Sequence, residues 1–81
     1  MILYIYSAKE GGKLVKITLK AARVNKNLTQ PEAAEKLGIA VDTLVQWEKG
    51  RTFPDAPMID KMTGLYGVTY DELNFLPGNN G

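Results

Sequence analysis

The 81-residue chain contains neither cysteine nor histidine. That removes disulfides, thiolate and imidazole metal sites, and the commonest nucleophile and acid-base groups. The carboxylates that remain are scattered over caps and turns, with no phosphate-binding glycine loop beside them, so neither an enzyme nor a metal or cofactor protein is expected. What is left is binding chemistry. The formal net charge of +1 hides a gradient: residues 1–26 carry Lys9, Lys13, Lys16, Lys20, Arg23 and Lys26 against Glu10, while the acids concentrate in residues 32–48 and 55–72. Local fields of this kind matter more than the total. Gln30 and Gln46 each offer a donor and an acceptor on one planar amide, and Lys49, Arg51 and Thr52 follow as a cluster of cationic and hydroxyl donors.

These side chains must be held by an all-α scaffold, for which the pattern predicts five short helices. Thr18 can cap a first helix that places Leu19, Ala22 and Arg23 on one inward face, with Leu28 sealing its end. Thr29-Gln-Pro-Glu reads as a capping box, in which the Thr29 hydroxyl accepts from the Glu32 amide and Glu32 reaches back. Pro31 is tolerated there because first-turn amides lack intrahelical partners. Ala33, Ala34 and Leu37 form a small-residue stripe, and Gly38 supplies the left-handed residue that ends the second helix. A third helix runs from about Val41 to Lys49, with Leu44 and Trp47 inward, a polar or mixed outer face, and Gly50 as its stop. Pro54 and Pro57 mark a loop over residues 52–57. A fourth helix carries Ile59, Met62 and Tyr66 and closes at Gly67. Thr69-Tyr-Asp-Glu then predicts a last short helix bearing Leu73 and Leu76.

The block Leu28-Thr-Gln-Pro-Glu-Ala-Ala-Glu-Lys-Leu-Gly-Ile-Ala-Val-Asp-Thr-Leu-Val-Gln-Trp-Glu-Lys-Gly50, followed by Pro54 and by Gly67-Val-Thr with Asp71-Glu-Leu, resembles the central signature of the lambda-repressor-like helix-turn-helix family of phage repressors, Cro proteins and bacterial regulators. The resemblance covers residues 16–77. It is similar in particular to small prophage Cro-like regulators that open Lys-Ile-Thr-Leu-Lys-Ala-Ala-Arg. It implies a compact five-helix domain over residues 15–77 whose second and third helices form the helix-turn-helix, and a transcriptional regulator, of repressor type, that reads double-stranded DNA with the third helix in the major groove. On the family pattern Val41, Asp42, Thr43 and Gln46 face the bases. Gln46 can pair with adenine in bidentate fashion, Val41 can touch a thymine methyl, and Asp42 can accept from cytosine. Asp42 has an equally good reading as a favourable charge at a helix N-terminus.

The same resemblance assigns Thr29, Gln30, Lys49, Arg51 and Thr52 to the DNA backbone, with Gln30 the main clamp at a positive dipole end. Lys20 and Lys26 are weaker candidates. Arg23 and Glu48 match a pair that forms a buried salt bridge in phage repressors. Few phosphate contacts per copy imply a homodimer on a pseudo-palindromic operator, and Tyr70, Leu73, Phe75 and Leu76 are the candidate dimer contact unless all four belong to the core. No small-molecule ligand is expected, nor a membrane: the apolar run Met1–Tyr6 is too short for a span. A cytoplasmic site, in a bacterium or a phage-infected one, follows. The alternative is a protein-interaction module, such as an antitoxin, built on the same fold.

Residues 1–14 fall outside the family pattern. Lys9-Glu-Gly-Gly-Lys can be encoded by a ribosome-binding sequence a short distance upstream of Val15, which a GUG start codon would encode, so one expectation is a native start at residue 15. The other is a β-forming arm, since Ile2 to Tyr6 are β-prone residues. Residues 78–81 read as a flexible tail.

Overall fold

The computed structural model describes residues 9–10, 13–14 and 16–75. The alternation of Ile2 to Tyr6, the tail and the predicted contact residue Leu76 lie outside them. Among the described residues the elements run β1 (Lys9–Glu10), β2 (Lys13–Leu14), β3 (Ile17–Thr18), α1 (Leu19–Asn25), α2 (Gln30–Leu37), α3 (Val41–Glu48), α4 (Ala56–Tyr66), a 3₁₀ turn (Tyr70–Glu72) and β4 (Leu73–Asn74). β1 pairs antiparallel with β2, and β3 pairs parallel with β4.

The helix boundaries follow from local chemistry. Thr18 caps α1 by accepting from the Ala21 amide at 3.0 Å. Thr29 and Glu32 exchange hydrogen bonds at 3.2 and 2.9 Å, closing the capping box of α2, and the Thr29 amide holds the Glu32 carboxyl below its ordinary pKa. Asp55 caps α4 by accepting from the Met58 amide at 3.1 Å. Gly38, at φ 75°, takes the left-handed conformation that ends α2. Asn27 does the same between α1 and α2 at φ 60°, which asparagine tolerates better than most residues. Lys61 donates to the Leu37 carbonyl at 3.2 Å, tying α4 to the C-terminal end of α2.

The core gathers Ile17, Leu19, Ala22, Ala33, Ala34, Leu37, Leu44, Met62, Tyr66 and Leu73. Ala33 and Ala34 let α2 approach its neighbours closely, and Leu44 from α3 is fully buried with Leu37 and Met62.

The expectation of five helices is corrected in the C-terminal region. Four α-helices are present among the described residues, and the predicted fifth is a 3₁₀ turn that gives way to β4. The Glu72 carboxylate does accept from the Thr69 amide at 2.8 Å, so the predicted N-terminal signal operates. Helix does not propagate because Leu73 turns extended, with φ −83° and ψ 135°, and pairs with Ile17 in the parallel ladder. One turn cannot repay the cost of helix nucleation, whereas Leu73 gains both a ladder and a place in the core at 3% exposure.

Candidate functional site

α2 and α3 pack against each other across the turn at Gly38–Ala40. α3 inserts Leu44 into the core and leans Trp47 against it. Its remaining surface is open to different degrees: Val41 is 40% exposed, Asp42 and Lys49 are exposed, and Thr43, Val45 and Gln46 are half-buried. Arg51 and Thr52 are exposed in the loop that follows, as is Phe53 at 58%. At the entrance to α2, Thr29 is exposed and Gln30 half-buried.

A buried polar cluster holds the two ends of this unit together. Arg23 of α1 donates from Nε to Glu48 Oε2 at 2.7 Å and from Nη2 to Glu48 Oε1 at 3.1 Å, a bidentate fork on the last residue of α3. Its third donor, Nη1, reaches the Leu28 carbonyl at 2.9 Å. Gln30 Nε2 donates to the same Glu48 Oε1 at 3.0 Å. The two charged side chains are 8% and 4% exposed, so the pair is strongly constrained by geometry and hardly screened. Through Glu48 the first turn of α2 and the last turn of α3 share one anchor, which fixes the angle between them.

Tyr66 of α4 lies close enough for both charges to act on its phenol. The residue is 2% exposed, and its hydroxyl has no hydrogen-bond partner among the described residues. Burial, reinforced by the Glu48 charge and opposed by Arg23, pushes its pKa from 10.0 up to about 12. The folded state therefore favours the neutral phenol. That contribution is complete below pH 10 and is lost as pH rises through about 12, an effect on the order of 2–3 kcal/mol. Tyr66→Phe should abolish this part of the alkaline loss. It should leave stability at pH 7 equal or higher, because an unpaired buried hydroxyl costs about 1–3 kcal/mol. Thermal melts of both proteins from pH 7 to 12 check this; a markedly less stable phenylalanine variant at pH 7 would show that the hydroxyl is paired.

The structure thus brings Arg23, Glu48 and Gln30 into one network and leaves Asp42, Lys49, Arg51, Thr52 and Thr29 exposed around it. Lys20 is exposed on α1, and the end of the Lys26 side chain lies over Gly67 at the C-terminal end of α4, where the helix dipole favours a cation. Of the candidate dimer residues, Leu73 is committed to the core at 3% exposure, whereas Tyr70 is 61% exposed. Phe75 is half-buried, its ring centroid 6.2 Å from that of Tyr70. Sequence reasoning leaves out Val45 and Phe53. The signal for Val45 is its place one turn after Val41, off the stripe of Leu44 and Trp47; for Phe53 no sequence signal distinguishes it from a core aromatic.

Comparison with known proteins matches residues 19–73 to a family described as helix-turn-helix. The chain is similar to the HTH-type transcriptional regulator ImmR of Bacillus subtilis (42% identical over 55 residues, covering 68% of this chain and 43% of that one). It is also similar to the cryptic phage CTXphi transcriptional repressor RstR of Vibrio cholerae (33% identical, 68% of this chain and 50% of that one). The HTH-type transcriptional activator BcrR of Enterococcus faecalis is 34% identical over 68% of this chain and 27% of its own length. The chain therefore spans half or less of these three relatives. No solved structure matches it.

Proposed function

Since the chain belongs to the lambda-repressor-like helix-turn-helix family of transcriptional regulators, we propose that it binds a specific double-stranded DNA operator and acts as a repressor of the phage type. In this reading α3 enters the major groove, whose width of about 12 Å admits one helix. Val41, Asp42, Thr43 and Gln46 meet base edges, and Thr29, Gln30, Lys49, Arg51 and Thr52 meet the sugar-phosphate backbone on either side. The observation that carries the reading is the hydrogen bond from Gln30 to Glu48 at 3.0 Å. It locks the first turn of α2, which carries Gln30 beside the exposed Thr29, to the helix whose outer face carries Asp42, Thr43 and Gln46.

Asp42 fits this face in two ways. It stands in the first turn of α3, where an acid is favoured by the dipole, and as an exposed acceptor it suits cytosine N4. The two roles are compatible. Two copies on a pseudo-palindrome complete the reading, because each copy offers few cations to phosphate and paired half-sites multiply them. Tyr70 and Phe75 remain the residues for that contact, and a cytoplasmic setting belongs to the same reading.

Selection of bound duplexes from a random DNA library at near-physiological salt tests this. A pseudo-palindrome with half-sites about one helical turn apart is the expected product; weak, salt-sensitive binding with no enriched sequence would overturn it and point to a protein partner. On the selected duplex, Gln46→Ala should cost about 1–3 kcal/mol and relax preference at one base pair per half-site, leaving the others as they were. Competition with duplexes changed at single positions measures this directly.

A further inference from the structure

The outer surface of α3 divides into two rows. Residues four apart on a helix stack on one face, which aligns Asp42 with Gln46 in a polar row and Val41 with Val45 in an apolar one beside it. The apolar row is not part of the fold's interior. Val41 is 40% exposed, and Val45 is half-buried yet, among the described residues, lies outside both the core and the side chains packed against it, in contrast with Leu44 and Trp47 on the same helix. A β-branched residue is a slightly poorer helix former than alanine, so helix propensity alone does not account for two valines on this face.

We propose that Val41 and Val45 together form a methyl-reading strip that selects thymine in the operator, and that Val45 is a specificity-determining residue in addition to those of the polar row. The inference rests on the reading of the chain as a DNA-binding protein and names the base chemistry that its site takes. The major-groove edge of an A·T pair carries one apolar group, the thymine C5 methyl, next to polar atoms. An apolar row running alongside Asp42 and Gln46 matches that juxtaposition: Gln46 takes the N6 and N7 atoms of an adenine, while the valine row covers methyl groups on adjacent pairs. The stiff, branched isopropyl groups lose little rotamer freedom when covered. Phosphate contacts cannot substitute for this, since they carry no base information.

The test uses the duplex recovered by selection with the full chain, and replaces each thymine in turn by deoxyuridine, which lacks only the methyl. Binding of the unaltered protein should weaken about fourfold at one or two positions per half-site, the equivalent of one buried methyl group. Val45→Ala, which suits the helix and is verified as folded by its thermal melt, should bind thymine and uracil duplexes equally at one of those positions, and Val41→Ala should do so at the other. Equal binding of thymine and deoxyuridine duplexes by the unaltered protein overturns the inference while leaving sequence-specific binding intact. So does a methyl effect that persists undiminished in both alanine variants. If no sequence is enriched in the selection, the DNA-binding reading itself fails and the methyl strip fails with it.

Discussion

Replacing Glu48 with alanine should destabilise the domain by about 3–5 kcal/mol, the largest loss expected from a polar substitution in this chain. Arg23 loses both arms of its bidentate contact and, among the described residues, keeps the Leu28 carbonyl at 2.9 Å. With the side chain 8% exposed, water does not replace what is removed. For a domain of this size each kcal/mol moves the melting temperature by about 4–8 °C, so a thermal melt resolves the effect easily. Removing both charges is the informative contrast. Arg23→Met combined with Glu48→Leu should recover most of the loss, since well-packed apolar pairs commonly equal buried ion pairs in stability. The double variant should still bind DNA less well than the parent, because Gln30 has lost the acceptor that orients its amide. Full stability in Glu48→Ala would mean that the pair contributes little.

The second large effect belongs to Leu44. Of the residues of α3 it is the buried one, at 0% exposure and among the largest fully buried side chains described. Leu44→Ala should cost about 2–5 kcal/mol, the removed methyl groups and the cavity together. Its consequence for function should differ from that of Gln46→Ala. Losing the apolar anchor loosens α3 as a unit, so affinity should fall at every operator position in proportion and preference at no single base pair should change. Saturating DNA should restore part of the melting temperature, because a ligand that binds only the folded state stabilises it by mass action. Denaturant unfolding with and without operator duplex measures both. A Leu44→Ala protein as stable as the parent would place the anchor of α3 elsewhere, at Trp47.

Much of this molecule is legible in its sequence because the signals are short-range. Thr18, Thr29 with Glu32, Gly38 and Gly67 act within one turn of themselves, and each cap operates where the residue type and spacing place it. The stripes of Leu19, Ala22 and Arg23, and of Ala33, Ala34 and Leu37, follow from helical periodicity alone, and all six residues are buried. Family resemblance, rather than spacing, paired Arg23 with Glu48.

What the tertiary structure decided depends on residues distant in sequence. Thr69 to Glu72 carries the same local signal as Thr29 to Glu32, yet one opens an eight-residue helix and the other a three-residue turn. The difference is Ile17, whose strand draws Leu73 into an extended conformation at the far end of the chain. Nor does any local rule reveal that Gln30 shares an acceptor with Arg23, that the Tyr66 hydroxyl beside that cluster has no partner among the described residues, or that Val45 stays out of the core that Leu44 enters. Local free energies of a few tenths to about 1 kcal/mol settle where helices begin and end. Burial of whole side chains, worth several times more, settles which faces meet and what is left outside to bind.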